Sequence, residues 1–323
     1  MAYVSAPGSD GSRPKPGDRA QLILVAALTI AVILVALVLL LNTVIYTENL
    51  ATRGVDAGGN DVIEYRATVI FGVGELIDEE NRVADGFNAT TVRNGINATD
   101  DALSYRYIQR GIIAEINRTS VEVNGGLLIA QDERQLFESS NESGPDPWNV
   151  TSAVEETRQF TITLEPLHNG TDATDGFYVE VSPDVGGGDP WTIYAYMDDD
   201  TGNLTVSSEE PGGPEVRCSV DANEAELDLT AGTLNDKPCS AWTWAEGVDS
   251  PYTIRFGNSD RANGTYSLTV GDSAEPGSGL NETTEESPYY VGAVYSTSME
   301  IRYESSDLHF ITEIRVAPGE PDE

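Results

Sequence analysis

Residues 252–270 read YTIRFGNSDRANGTYSLTV. Tyr252, Ile254 and Phe256 recur at every second position, and after the turn-rich GNSDRANG so do Tyr266, Leu268 and Val270. A strand sends successive side chains to opposite faces, so each run predicts a strand with one apolar face. The same period of two extends through the second half of the chain. Phe160, Ile162 and Leu164 alternate, as do Phe177, Val179 and Val181. Trp191, Ile193 and Ala195 lead through Asp199-Asp200-Thr201-Gly202 to Leu204 and Val206. Val216, Cys218 and Val220 follow, then Leu227 and Leu229. Met299, Ile301 and Tyr303 precede a Ser305-Ser306-Asp307 turn, with Leu308, Phe310, Ile314 and Val316 beyond it. Short alternating strands separated by Gly, Asn and Asp turns predict an antiparallel sheet or sandwich over 121–317. Residues 271–288, GDSAEPGSGLNETTEESP, have no apolar period and read as an exposed loop.

Upstream the period becomes helical. Val62, Tyr65, Val69 and Leu76 predict a helix within 61–83, although Gly72 and Gly74 weaken its continuity. A second helix is predicted over 99–118. Thr99 would be its N-cap, Asp100 and Asp101 its acidic first turn, and Leu103, Tyr107, Ile108, Ile112 and Ile116 its apolar face.

Further upstream, residues 22–41 read LILVAALTIAVILVALVLLL, and no charge stands between Arg19 and Glu48. Twenty apolar or uncharged residues make a helix of about 30 Å, the thickness of a bilayer's hydrocarbon core. Arg13, Lys15 and Arg19 on the short flank predict a cytoplasmic N-terminus and an extracellular C-terminal domain, with Tyr46 at the outer interface. A cleaved secretory signal would have a shorter apolar core followed by a small-residue cleavage site. The expected fold class is therefore α+β, a long N-terminal transmembrane helix followed by a mostly antiparallel β ectodomain with one or two helices. The expected divisions are a disordered tail or leader over 1–18, the membrane helix over 19–52, a helical membrane-proximal region over 53–120, the β ectodomain over 121–317 and an acidic tail over 318–323.

Composition narrows the function classes. The chain has 54 acidic and 18 basic residues, a formal charge of −36, and Lys15 and Lys237 are its only lysines. Such a charge excludes nucleic acid and anionic lipid heads as docking partners, since both are polyanions. The hydrophobic share of 39% is enough for a core, so the surplus belongs on a folded surface rather than a disordered chain. The Lys-poor, acid-rich balance resembles that of proteins from extreme halophiles.

Nine of the 18 asparagines head an Asn-x-Ser/Thr sequon, against roughly three expected by chance. These are Asn88, Asn97, Asn117, Asn141, Asn149, Asn169, Asn203, Asn263 and Asn281, all beyond the apolar run. They predict an extracytoplasmic, glycosylated surface. Cys218 and Cys239 are the only cysteines. Outside the cell such a pair reads as a disulfide. A metal site would want further ligands, and only His168 and His309 could join the pair.

Arg19-Ala20-Gln21, directly before the apolar run, resembles the class III signal of archaeal type IV pilins and pilin-like proteins. The resemblance implies cleavage between Ala20 and Gln21 by a prepilin peptidase, with the apolar segment retained to pack against copies of itself. Ala26, Ala27, Ala31 and Ala36 would permit that close packing. One position departs from the family, because many pilins carry Glu five residues after the cut where this chain has Val25.

Other constellations read as structure. Asp198-Asp199-Asp200-Thr201-Gly202-Asn203 offers oxygens to a divalent cation but lacks EF-hand spacing, and reads as a hairpin turn. Gly186-Gly187-Gly188 lacks the Lys of a phosphate loop. His168 and His309 stand in no metal spacing and accompany no nucleophile elbow. Glu155-Glu156 and Glu209-Glu210 are adjacent acids in a chain full of them. No catalytic residue, metal or cofactor is expected. The leading expectation is a non-enzymatic, pilin-like component of a surface filament or secretion-type envelope assembly, partnered by the membrane and by other pilin-like subunits. The alternative is a single-pass anchored ectodomain that binds an extracellular ligand or protein.

Overall fold

The computed structural model of the chain describes residues 59–83, 86–141, 146–165, 176–208, 216–221 and 224–321. The chain divides into Met1–Asp61 and Val62–Glu323, and both sheets belong to the second unit. Helix α1 covers 59–83 and α2 covers Ala89–Ile108. The strands follow as β1 (Ile113–Ile116), β2 (Glu122–Leu136), β3 (Trp148–Val154), β4 (Thr157–Leu164), β5 (Phe177–Pro183), β6 (Trp191–Met197), β7 (Leu204–Ser208) and β8 (Val216–Val220). Then come β9 (Ala225–Asp228), β10 (Thr233–Leu234), β11 (Lys237–Pro238), β12 (Tyr252–Gly257), β13 (Asn263–Gly271), β14 (Glu275–Pro276), β15 (Tyr289–Glu304) and β16 (His309–Val316). One sheet runs β1-β15-β2-β13-β4-β9-β10-β11 with β16 also on β15, and the other runs β14-β3-β12-β5-β6-β7-β8.

The two strands of 252–270 do not pair with each other. β12 lies between β3 and β5 in one sheet, whereas β13 lies between β2 and β4 in the other. The chain crosses the sandwich at Asn258, which takes a left-handed φ of 51°, and at the short 3₁₀ turn Ser259–Arg261. The two apolar faces therefore meet from opposite sides. Phe256 and Tyr266 pack edge to face with centroids 5.1 Å apart, and Phe137, Phe177 and Phe160 gather on the same Phe256 ring. Each fully buried aromatic contributes about 1.5–3 kcal/mol of hydrophobic stabilisation.

A second core lies under the helices. Tyr65, Val69, Val73 and Ile77 recur every fourth residue on α1 and are fully buried. They cluster with Val92, Ile96, Leu103 and Tyr107 of α2 and with Met299, Ile301 and Tyr303 of β15. Gly95 of α2 meets α1 so closely that a Cβ there would stand 2.5 Å from a Leu76 methyl. β15 serves both cores because it is long. Its first part pairs with β2, and its last part pairs with β16 and β1.

Several expectations are corrected. Among the described residues the protein is mostly antiparallel β with two helices, and neither helix is long and apolar enough to cross a membrane. Charge is the reason for α1, whose exposed positions include Glu64, Arg66, Glu75, Asp78 and Glu79. The expected transmembrane-helix architecture is thus not the one found, and the run 22–41 lies outside the described residues. Helix α2 starts ten residues before Thr99, at an N-cap formed by Asn88. It ends before Gly111, whose φ of 74° suits glycine and turns the chain into β1. Ile116 consequently faces the core from a strand paired with Ile301, not from a helix. The 271–288 segment is not simply exposed, because Ala274 and Leu280 are buried and β14 caps the edge of β3.

The disulfide joins Cys218 to Cys239, with Cα atoms 6.0 Å apart. Cys218 lies on β8, the last strand of one sheet, and Cys239 follows β11, the last strand of the other. The bridge therefore closes the sandwich along one edge. Replacing both cysteines by serine is expected to lower unfolding stability by about 3 kcal/mol for a loop of this size. Urea titration checks this, and an unchanged midpoint would show that the edge holds without the bridge.

Candidate functional site

The residues that break the sequence pattern converge on one place. Arg158 has the same parity as Phe160 and Ile162 and should face the sandwich core. A bulge in the β4–β13 ladder, where Thr269 opposes Gln159 but Val270 opposes Thr157, leaves Arg158 as the extra residue. Arg158 is 2% exposed. Its Nη2 donates to Asp78 Oδ1 of α1 at 3.2 Å, and its Nη1 donates to the Val294 carbonyl at 3.2 Å. Arg158 Nε has no partner among the described residues.

Val294 sits at a second bulge, between Val294 and Ser296 of β15. There the carboxamide of Asn81 substitutes for a strand. Its Nδ2 donates to Val294 O at 2.9 Å, and its Oδ1 accepts from Val294 N at 2.8 Å. The last turns of α1 are thus tied to the sheet by one ion pair and a reciprocal backbone clasp. Burial pushes the Arg158 guanidinium below its usual range, against the pull of Asp78. Burial also raises the Asp78 carboxyl, with Arg158 opposing it.

The next residue, Tyr295, extends the cluster. Its hydroxyl donates to Glu320 Oε1 at 2.8 Å, and Arg315 stacks over its ring at 5.8 Å while bonding to Glu320. Burial and then the Glu320 contact raise the Tyr295 phenol. Burial alone would raise Glu320, but the hydrogen bonds from Arg315 and Tyr295 outweigh it and hold the carboxyl below its ordinary value. Beside this knot lies an open groove of about 730 Å³. Its floor is backbone at Gly125, Gly126 and Gly271, and its walls include Phe87, Asn124, Glu156, Asp272 and Arg315.

A second groove, of about 650 Å³, runs past α2, β1, β15 and β16 and contains His309. The buried Asp100 there is committed to structure. It accepts from Ile116 N and Arg118 Nε, both at 2.8 Å, and so joins α2 to β1.

The remaining sequence candidates are scattered. Asp198 caps its own turn by accepting from the Asp200 and Thr201 amides, and those bonds, the one from Thr201 first, lower its carboxyl. Among the described residues no group of three or more His, Cys, Asp or Glu is arranged to hold a metal ion. Gly186 and Gly187 are turn residues with positive φ. Glu156 pairs with Arg315. Arg19, Ala20, Gln21, His168, Asn169 and Glu209-Glu210 lie outside the described residues. The other eight sequon asparagines are spread over α2, several strands and their connections, and none is buried. Sequence reading missed Asp78, Asn81 and Arg158. Only an arginine standing in the apolar phase of β4 gave any signal.

No curated protein and no solved structure matches the chain. A profile of a family of unknown function, DUF7261, matches residues 16–124, which is about a third of the chain and ends at the start of β2. Nothing in these comparisons connects the chain with pilin-like proteins.

Proposed function

We propose that this chain is a non-enzymatic structural subunit of a pilin-like assembly at the outer face of the cell membrane. The observation that carries the reading is the clasp between α1 and the sheet. Tension applied along α1 is resisted at Asp78, Asn81, Arg158 and Val294 rather than by a frayed connection. The opposite side of α1 supports a role in subunit contact, since Ile63 and Phe71 stand two turns apart and Phe71 is 70% exposed. The Arg19-Ala20-Gln21 sequence before the apolar run supports pilin-type processing. The sequons and the bridged cysteine pair support an extracytoplasmic place. The partners are other copies or related subunits.

N-terminal sequencing of the mature protein tests the reading. The expected first residue is Gln21, and Arg19→Gln is expected to leave a larger unprocessed form. A mature protein that retains residues 1–20 would overturn the pilin-type reading. The second reading, a ligand- or partner-binding ectodomain, would then stand on the open groove beside Phe87.

A further inference from the structure

We infer that Asn88 is a glycan attachment site whose first sugars seat on Phe87 in the glycine-floored groove. The inference rests on the extracytoplasmic reading and goes beyond it by choosing a sequon and a contact surface. Among the described sequons, Asn117, Asn141 and Asn281 use their Nδ2 groups internally. They donate to Glu300, to the Ser278 carbonyl, and to the Glu286 and Pro288 carbonyls. Asn97, Asn203 and Asn263 are half-buried. Asn88 and Asn149 remain, both exposed. The Asn149 oxygen is held by Arg255 Nε on an open strand face. Asn88 differs because it adjoins a built surface.

Asn88 caps α2 through Oδ1 alone, accepting from Thr90 N at 3.1 Å and Thr91 N at 3.2 Å. Its Nδ2 donates to no described residue. A glycan on Nδ2 leaves Oδ1 unchanged, so the cap and the modification coexist. In the transfer, Nδ2 bonds the anomeric carbon of a lipid-phosphate-linked sugar. The carbon–oxygen bond to phosphate breaks, the phosphate departs with the electron pair, and one amide proton passes to solvent.

Phe87, one residue earlier, is 43% exposed and borders the groove. One side of it rests on the backbone, because a Cβ at Gly125 would stand 3.7 Å from the ring and one at Gly292 3.2 Å from the Phe87 Cβ. The fit is tight at Gly292, where a side chain would press on Phe87, and leaves ordinary van der Waals room at Gly125. A pyranose has an apolar C–H face and a rim of hydroxyls. The ring offers the first a platform, and Asn124, Asp272 and Glu156 offer the second both donors and acceptors.

The test is glycopeptide mass spectrometry of the full chain made in an N-glycosylating host, with amide hydrogen exchange on the same material. Thr90→Ala removes the sequon but keeps the Asn88 cap, and Phe87→Ala removes the platform. Occupancy at Asn88 is expected, with exchange at residues 124–126 about threefold to tenfold faster in both variants than in the wild type. An empty Asn88 beside other occupied sequons overturns this inference and leaves the surface reading intact. A chain with no occupied sequon overturns both. Occupancy without any exchange difference at 124–126 overturns the groove contact.

Discussion

Dialysis from molar NaCl to 0.1 M is expected to lower the melting temperature by roughly 10 °C. The excess of 36 negative charges is the cause. Two carboxylates about 10 Å apart repel by about 0.4 kcal/mol in unscreened water. Screening leaves roughly a thirtieth of that at 1 M and about a third at 0.1 M. Over roughly thirty such neighbour pairs the difference is on the order of 4 kcal/mol. Eighteen basic residues are too few to absorb it, and four of the arginines are each already shared between two carboxylates. Arg118 holds Asp100 and Asp101, Arg134 holds Glu165 and Glu224, Arg302 holds Glu115 and Glu304, and Arg315 holds Glu156 and Glu320. Circular dichroism melts across a salt series provide the measurement. Neutralising the exposed Glu122, Glu133, Glu285 and Glu313 together to glutamine should flatten the dependence. A melting point independent of salt would mean that the acidic surface imposes no such strain.

Strand identity was legible because a half-buried strand writes its inward face into the sequence. Phe160, Ile162, Leu164, Phe177, Val179 and Val181 alternate and are all buried. Partnership was not legible. A segment such as GNSDRANG can close a hairpin or carry the chain between sheets, and both leave the same alternation. The start of α2 was misplaced because Thr99 with two following acids imitates an N-cap. The actual cap, Asn88, is read as easily as a sequon, and Asp100 is spent on Ile116 and Arg118. The clasp was invisible for a related reason. Bulges at Arg158 and Val294 depend on ladder register, and register follows from pairings far apart in sequence. Cys218 and Cys239 were the exception, since two cysteines admit only one intramolecular bridge.

Asp78→Ala is expected to destabilise the fold by about 2–3 kcal/mol, below the roughly 3–5 kcal/mol of a fully buried pair because only the arginine is buried. The asymmetry of the pair sets this value. The Arg158 side chain is 2% exposed and the Asp78 side chain 50%. Removing Asp78 strands a guanidinium that water cannot reach, and Arg158 Nε already lacks a partner among the described residues. Removing the cation instead leaves Asp78 half in water, where hydration replaces part of the loss. Arg158→Leu is therefore expected to cost less, about 1–2 kcal/mol, chiefly through the hydrogen bond to Val294. The double variant should be less destabilised than the sum of the two, because an apolar side chain at that position makes no demand for a countercharge. Urea unfolding of the three variants measures the cycle. Hydrogen exchange locates the damage, which should fall on α1 while β4 keeps its protection. Equal costs for the two single changes, adding fully in the double, would show that Asp78 and Arg158 act separately and that α1 is held by its apolar face and Asn81 alone.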